Sequence, residues 1–382
     1  MILLVSLLLS AQAGASLEEA RRLFDRGDYP AAEAVLGRVL ASLPPGSEAE
    51  RAALLPRLAE VRALQGDFLR AAEAAEEALR VGPTPSPAAR RAAAFVYVRS
   101  HRYEEALPHI EALLRGAPDD ASLRFWRGTV LSRRGRFAEA LEDLAAGLRV
   151  PGGERDARFE LALALSKLGR PREALERLLE IIEDDPWDAE ACHQASRQLL
   201  RIGGAGPSRA AASLVRWFEA IREAEGASSR DRHLAFEGKP ALAALERAAR
   251  AERLGRYDRA LEEIERAKGF DGGAAEAAPF EEGFWARRGM PANASQRDIE
   301  EALERAEAAK DDRRAQEAAR LLLARDPGSS RALRSLAQRA SDPVLLPVRV
   351  HYLKRLAAAE PGNSGWKAEL ETSRKGWVGL RL

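Results

Sequence analysis

Apolar side chains recur along this 382-residue chain at the spacing of amphipathic helices. Segment 87–120 is representative, because Ala106, Ile110 and Leu113 lie on one helical stripe at i, i+4 and i+7. Pro118 then ends the stripe, since proline lacks the N–H that a continuing helix needs. Few runs of Val, Ile or Thr alternate with period two, as strands would require. The pattern predicts an all-α chain of short helices.

A short turn motif separates the helices of each predicted pair. It carries a small or polar residue, in most copies an aromatic two positions later, and an alanine three positions after that. Copies begin at Gly27 (GDYPAA), Gly66 (GDFLRA), His101 (HRYEEA), Gly135 (GRFAEA), Gly169 (GRPREA), Gly203 (the degenerate GGAGPS) and Gly255 (GRYDRA). From His101 to Gly203 the copies are 34 residues apart. A period of 34 indicates stacked helical hairpins, each burying its apolar face against its neighbours.

These hairpins resemble tetratricopeptide repeats, whose unit has a small residue in the first helix, this turn, and a closing proline. The small residues are Ala20, Ala59, Ala94, Gly128 and Ala162, and the closing prolines are Pro44, Pro83, Pro118, Pro186, Pro327 and Pro361. The chain departs from the family at the first-helix tryptophan, which is replaced by Arg90, Arg124 and Arg158. The resemblance implies an α-solenoid, a right-handed superhelix of about eight to nine hairpins with a C-terminal capping helix.

The repeat pattern predicts the following organisation: signal peptide 1–15, N-terminal array 16–225, linker 226–240, C-terminal array 241–363 with an irregular insert 275–295, and capping helix 364–382. The insert combines glycine with large apolar side chains, and we expect a long loop there. These side chains either pack onto the array or contact a partner. Phe280, Phe284 and Trp285 are the candidates for that secondary contact.

The first residues favour export. Residues 2–10 form an uncharged apolar run, too short to span a bilayer and of the length of a signal-peptide core. Ala-x-Ala sequences at 11–13 and 13–15 offer the small residues that signal peptidase reads, and no cysteine follows for a lipid anchor. No Lys or Arg precedes the run, so either the terminal amine alone supplies the charge or the true start lies upstream. The alternatives to a signal peptide are an apolar half-helix packed on the first repeat and an uncleaved anchor. We expect an exported protein, periplasmic or extracellular, with no stable membrane span after cleavage.

Composition excludes several classes of function. The 60 basic and 59 acidic residues give a net charge of +1, without the basic excess of a nucleic-acid-binding protein. The single Cys192 cannot form an intramolecular disulfide and is expected to be buried. Five scattered histidines lack metal-ligand spacing, and neither HExxH nor GxSxG occurs. We therefore expect no enzymatic activity, no metal and no cofactor.

The exposed faces of the first helices are the candidate partner-binding groove. Helical spacing places these residues there: Arg91, Phe95, Arg99, Phe125, Arg133, Phe159, Lys167, His193, Arg197 and Arg201. Aromatic anchors beside a row of cations suit a protein or peptide segment with apolar and acidic side chains. The equivalent face near the C-terminus is acidic, with Glu300, Glu304 and Glu307. The alternative is that coding bias towards arginine made this row and that it is only solvated.

Three functions remain compatible with the sequence. The first is a non-catalytic scaffold or assembly factor of the bacterial cell envelope that binds a partner in the groove. The second is an envelope structural component that binds peptidoglycan or another glycan, with Trp285 as a stacking surface. The third is an accessory subunit of an enzyme encoded nearby.

Overall fold

The computed structural model describes residues 17–225, 234, 237–291, 294–340 and 345–378. Within these ranges the regular structure is α-helical apart from short 3₁₀ turns, and no strand occurs. The predicted all-α architecture of helical hairpins is confirmed. The predicted signal peptide and most of the predicted linker lie outside the described residues.

The helices follow the predicted periodicity closely. In chain order they are α1 (17–26), α2 (Tyr29–Ser42), α3 (Glu48–Gln65), α4 (Phe68–Arg80), α5 (Pro87–Arg99), α6 (Tyr103–Leu114), α7 (Ala121–Arg133), α8 (Phe137–Ala146), α9 (Glu154–Lys167), α10 (Pro171–Asp184), α11 (Ala189–Ile202), α12 (Ala205–Glu225), α13 (Pro240–Arg253), α14 (Tyr257–Lys268), α15 (Gly273–Ala286), α16 (Gln296–Ala308), α17 (Asp312–Arg325), α18 (Ser330–Arg339), α19 (Leu346–Ala359) and α20 (Ser364–Val378). A 3₁₀ turn, Gly147–Arg149, follows α8.

The turn motif works through backbone conformation and close helix approach. Gly135 has φ +78°, in the left-handed region where glycine is free of Cβ strain. His101, at the same place in the preceding repeat, has φ +61°. Gly128 occupies the small position of α7, where a Cβ would lie 2.7 Å from the backbone nitrogen of Leu144 in α8. The two helices of this hairpin therefore approach closely at Gly128.

An ion-pair cluster accounts for one departure from the family pattern. Arg124, at the position of the first-helix tryptophan, places its Nε 3.1 Å from Asp143 of α8, and Arg127 lies 2.5 Å from the same carboxylate. Asp143 is only 4% exposed. Hydrogen bonds to Glu142 and Asp143 raise the pKa of Arg124. In this repeat a charged bridge between the helices stands where the family has an indole ring.

The chain divides into two compact units. Among the described residues, the N-terminal unit comprises 17–160, 234 and 237–239, and the C-terminal unit comprises 161–225, 240–291, 294–340 and 345–378. The division falls inside α9, whereas the sequence suggested a boundary at 226–240, which stays a prediction. In the N-terminal unit successive helices from α2 to α8 pack on one another around a continuous apolar core that runs from Ala20 to Val130.

The C-terminal unit contains both sequential hairpins and a return contact. α13 pairs with α14, α16 with α17 and α18 with α19, as in a linear array. In addition, α19 packs against α10 and α20 packs against α12, although these helices are far apart in the chain. The last hairpins thus contact the first helices of the same unit.

Most of the irregular insert, up to Ala286, is a helix, so the expected long loop is wrong. α15 spans Gly273–Ala286 and packs on α13 and α14. A run of alanines favours helix in this segment, and the apolar face carrying Phe284 and Trp285 is buried, at 0% and 1% exposure. The segment therefore packs onto the array, one of the two alternatives that the sequence left open.

Candidate partner-binding surface

Two aromatic rings on adjacent first helices form the centre of a candidate binding surface in the N-terminal unit. Phe95 of α5 and Trp126 of α7 have ring centroids 5.9 Å apart at an interplanar angle of 47°. Both rings are partly buried against the core cluster and partly accessible. Such a tilted pair, half in the core and half in solvent, is a rigid apolar anchor point of the kind enriched at protein interfaces.

Arginines frame the two rings. The guanidinium of Arg91 lies 5.7 Å from the Trp126 ring centroid and forms an ion pair with Asp120. The guanidinium of Arg99 lies 5.8 Å from the Phe95 ring centroid. Arg99 is exposed, and within the described residues no carboxylate lies at ion-pair distance from it. We call Arg91, Phe95, Arg99 and Trp126 the arginine–aromatic surface.

The other predicted groove residues of this unit lie in different surroundings. Arg133 is exposed at the end of α7, and its Nη2 lies 2.6 Å from Glu160. The Phe125 ring faces the 3₁₀ turn. A Cβ built on Gly147 of this turn would lie only 2.6 Å from Cδ2 of Phe125. Phe159 is 6% exposed beneath the guanidinium of Arg155, which lies 4.7 Å from its ring centroid. The expected row of three accessible phenylalanines is corrected: Phe159 is buried, and Trp126 stands beside Phe95 instead of Phe125.

The remaining predicted groove residues belong to the C-terminal unit. Lys167, His193, Arg197 and Arg201 are all exposed. The His193 ring lies 5.1 Å from the Phe218 ring, and Arg201 donates to the backbone oxygen of Ser166 at 3.0 Å. Exposure leaves these side chains free to contact a partner, but no described contact joins them into a cluster.

The predicted acidic face of α16 is largely paired. Arg331 of α18 lies 2.5 Å from Glu304 and 3.3 Å from Glu307. Glu307 also accepts a hydrogen bond from the Ser335 hydroxyl at 2.9 Å. These carboxylates link neighbouring first helices.

The predicted secondary contact is corrected in the same way. Phe284 and Trp285 are buried, with Arg288 3.9 Å from the Phe284 ring centroid and Arg325 5.2 Å from the Trp285 ring centroid. Phe280 is partly exposed. Trp285 therefore offers no free ring for stacking on a sugar in this structure.

The chemistry of a catalytic or metal site does not emerge from these surfaces. Within the ranges that the structure describes, no group of three or more His, Cys, Asp or Glu side chains could hold a metal ion. Cys192 is buried, and burial together with Asp188 and Asp185 raises the pKa of its thiol. Burial lowers the pKa of His109, assisted by Arg90. None of the described helices combines the length and apolarity needed to cross a bilayer.

The repeat geometry and the turn motifs of the N-terminal part of the chain are similar to those of a known family. The tetratricopeptide repeat family profile matches residues 17–88 and 91–157. This N-terminal part of the chain is similar to the tetratricopeptide repeat family. This repeat is generally a non-catalytic scaffold that binds peptides or proteins, and the match supports such a role in protein–protein interaction.

Several solved structures are similar at low identity. A thermophilic tetratricopeptide repeat protein of Thermus thermophilus is 23% identical over 49% of this chain and 99% of that chain, with a TM-score of 0.39. YrrB, described as a tetratricopeptide repeat protein with an unusual peptide-binding site, is 24% identical over 49% and 91%, with a TM-score of 0.37. A tetratricopeptide repeat protein from Parabacteroides merdae is 19% identical over 70% and 98%, with a TM-score of 0.40. Among curated proteins no match was found.

Proposed function

We propose that this protein is a scaffold or assembly factor of the bacterial cell envelope that binds a partner segment on its arginine–aromatic surface. The observation that carries the proposal is the half-exposed Phe95–Trp126 pair with the exposed Arg99 beside it. The partly accessible rings supply apolar contact area, and a guanidinium without a carboxylate partner attracts an acidic side chain. The partner is therefore a protein or peptide segment in which acidic and large apolar residues lie close together.

A displayed library of random peptides tests this proposal without knowledge of the natural partner. The protein should enrich peptides that combine Asp or Glu with Leu, Phe or Trp. Arg99→Glu should remove the acidic preference, because it puts a carboxylate where the partner's carboxylate binds. Phe95→Ala should weaken binding of the enriched peptides by about ten-fold, the effect of removing an aromatic anchor from an interface.

Arg115→Glu is the matched control. Like Arg99 at the end of α5, Arg115 is an exposed arginine at the end of a helix, where it is the C-cap residue of α6. Unlike α5, α6 is the second helix of its hairpin. It should enrich the same peptides as the unchanged protein. Enrichment without acidic residues, or an equal effect of Arg115→Glu, would rule out this surface as the binding site.

The envelope location rests on the sequence of the first 15 residues. An apolar run followed by Ala-x-Ala sequences supports export, and it lies outside the described residues. N-terminal sequencing of the protein from cells should give a mature chain that begins near residue 14 or 16. A mature protein that still begins at Met1 would contradict export by cleavage.

A further inference from the structure

A small cavity of about 140 Å³ lies inside the C-terminal unit. Its walls come from the end of α10, the turn between α13 and α14, α17 and α19. The volume corresponds to a few water molecules and is well below that of sites for drug-sized ligands, about 300 Å³ or more. The cavity thus has room for one small polar group and none for a nucleotide.

Two of the carboxylates that line the cavity are already neutralised. Asp184 lies 2.7 Å from Nζ of Lys354, and Asp185 lies 3.3 Å from Nη1 of Arg256. The unpaired charges in the cavity therefore belong to other lining side chains. The relevant ones are Arg320 of α17, Arg355 of α19 and Asp258 of α14.

Arg320 and Arg355 have neutral partners. The guanidinium of Arg320 lies 5.9 Å from the Tyr257 ring centroid, and Arg355 donates from Nη2 to the backbone oxygen of Pro327 at 2.8 Å. The Nε of Arg320 is buried and makes no hydrogen bond. For neither arginine does any carboxylate of the described chain lie within ion-pair distance. A guanidinium group that lines a cavity and has no carboxylate partner attracts an anion.

The turn between α13 and α14 adds a second feature that favours an anion. Gly255 has φ +70°, and a Cβ built on it would overlap the guanidinium of Arg320, so the glycine makes room for this side chain. The following helix, α14, has no side chain that accepts a hydrogen bond from its first amides, and Tyr257 to Arg259 line the cavity. Free amides at a helix N-terminus carry a partial positive charge that attracts anions.

We propose that this cavity is a binding site for one small oxyanion, a phosphate or carboxylate group, held by Arg320 and Arg355. Asp258 is the opposing charge: it lines the cavity and has no cation at ion-pair distance in the part of the chain that the structure describes. Arg259, which also lines the cavity, is paired with Glu262 at 2.8 Å. The site therefore has two available cations and one anion, and a bound oxyanion completes the balance. Because the walls come from four separate elements, the ligand also joins them.

Isothermal titration with inorganic phosphate, and separately with acetate, tests the proposal at constant ionic strength and neutral pH. Saturable binding of about one equivalent is expected for at least one of the two probes. Tighter binding of phosphate would identify a phosphate-bearing ligand, and tighter binding of acetate a carboxylate-bearing one. Absence of saturable binding by both would overturn the proposal.

Variants locate the binding. Arg320→Gln and Arg355→Gln should each weaken it by about ten-fold or more, the usual effect of losing a hydrogen bond to a charged group. Asp258→Asn should tighten it, a gain that unfolding could not imitate. Arg172→Gln is the control, since Arg172 is exposed on α10 and does not line the cavity.

Circular dichroism establishes that each variant is folded. If Arg320→Gln does not fold, Arg355→Gln and Asp258→Asn decide the question. Binding that is unchanged in Arg355→Gln and not tightened in Asp258→Asn would place the anion elsewhere and refute the site.

Discussion

At the scale of single residues, the small position of each first helix controls how closely the two helices of a hairpin approach. Gly128 is the extreme case: a Cβ there would lie 2.7 Å from the Leu144 nitrogen and 3.0 Å from Cβ of Asp143. The first of these neighbours is backbone, which cannot move without shifting α8. Gly37 in α2 is the contrasting case, because no atom lies within 4 Å of a Cβ built on it.

The two glycines give opposite predictions for the same substitution. Gly128→Ala should lower the free energy of unfolding by about 1–3 kcal/mol, the usual cost of overpacking. Gly37→Ala should raise it by about 0.4–1 kcal/mol, because alanine restricts the unfolded chain and fits the helix without strain. Urea unfolding followed by circular dichroism measures both. A loss of stability in Gly37→Ala equal to that in Gly128→Ala would show that helix approach is not the cause.

The arginine–aromatic surface shows how far residue spacing reaches. The 34-residue repeat relates Phe125 to Arg91 and Trp126 to the fully buried Ala92. Spacing alone therefore favoured Phe125 as the exposed aromatic. The Trp126 indole is larger than the alanine side chain at this repeat position and extends to Phe95. The position in the repeat fixes the direction of the Cα–Cβ bond, but it does not fix the length of the side chain. The signal available in the sequence was a tryptophan, Trp126, at the repeat position where the preceding repeat has Ala92.

At the scale of helices, the return contact in the C-terminal unit is organised around the end of α10. Glu183, Asp184 and Asp185 lie at the C-terminus of this helix, where its dipole disfavours negative charge. Arg374 of α20 binds Glu183 through two hydrogen bonds, of 2.7 and 2.5 Å. With the pairs from Lys354 and Arg256, cations from distant parts of the chain compensate this acidic end.

The hairpins were predictable, and the return contact was not. Periodic apolar positions and turn motifs report local structure, so they predicted the helical hairpins. The partners in the return contact are 168 to 191 residues apart and follow no period. The three acidic residues at a helix C-terminus are the one local sign that compensation must come from elsewhere. α15 was missed because its glycines suggested a loop.

His351 makes this contact sensitive to pH. Its Nδ1 lies 2.9 Å from the backbone oxygen of Glu183, and its ring lies edge-on to Trp187 at 5.7 Å. Burial lowers the pKa of His351 below its ordinary value of 6.5. The hydrogen bond to the Glu183 oxygen and the charge of Asp185 raise this pKa, and Arg355 and Arg256 lower it further. The unfolded chain therefore takes up this proton first as pH falls through 6.5, and the contribution of His351 to stability, present above that pH, is lost below it.

The expected result is a difference between the unchanged protein and His351→Gln. Between pH 7.5 and 5.5 the unchanged protein should lose about 1 kcal/mol more free energy of unfolding than the variant. The pKa of His109 is also lowered, and equally in both proteins, so its contribution to the pH dependence of the free energy of unfolding cancels in the comparison. Urea unfolding at the two pH values measures the difference, and equal losses would contradict a neutral, buried His351.

At the scale of the whole molecule, the two units differ in how contacts are distributed along the chain. In the N-terminal unit each helix contacts those near it in sequence, as in a linear array whose stability is a sum over neighbours. In the C-terminal unit α19 contacts α10, and α20 contacts α12. Removing a terminal segment should therefore have a local effect in the first unit and a remote effect in the second.

Hydrogen exchange on two truncated chains measures this contrast. A chain that ends after Ala340 lacks α19 and α20, and with them the bonds from His351, Lys354 and Arg374 to the end of α10. Amides in the last turn of α10 should exchange about ten-fold faster or more, which corresponds to a loss of about 1.4 kcal/mol in the free energy of local opening. A chain that begins at Ser47 lacks α1 and α2, and it should exchange faster in α3 and α4 while α6 to α8 stay protected. If α10 keeps its protection in the first chain, the return contact does not form in solution and the C-terminal unit behaves as a linear array.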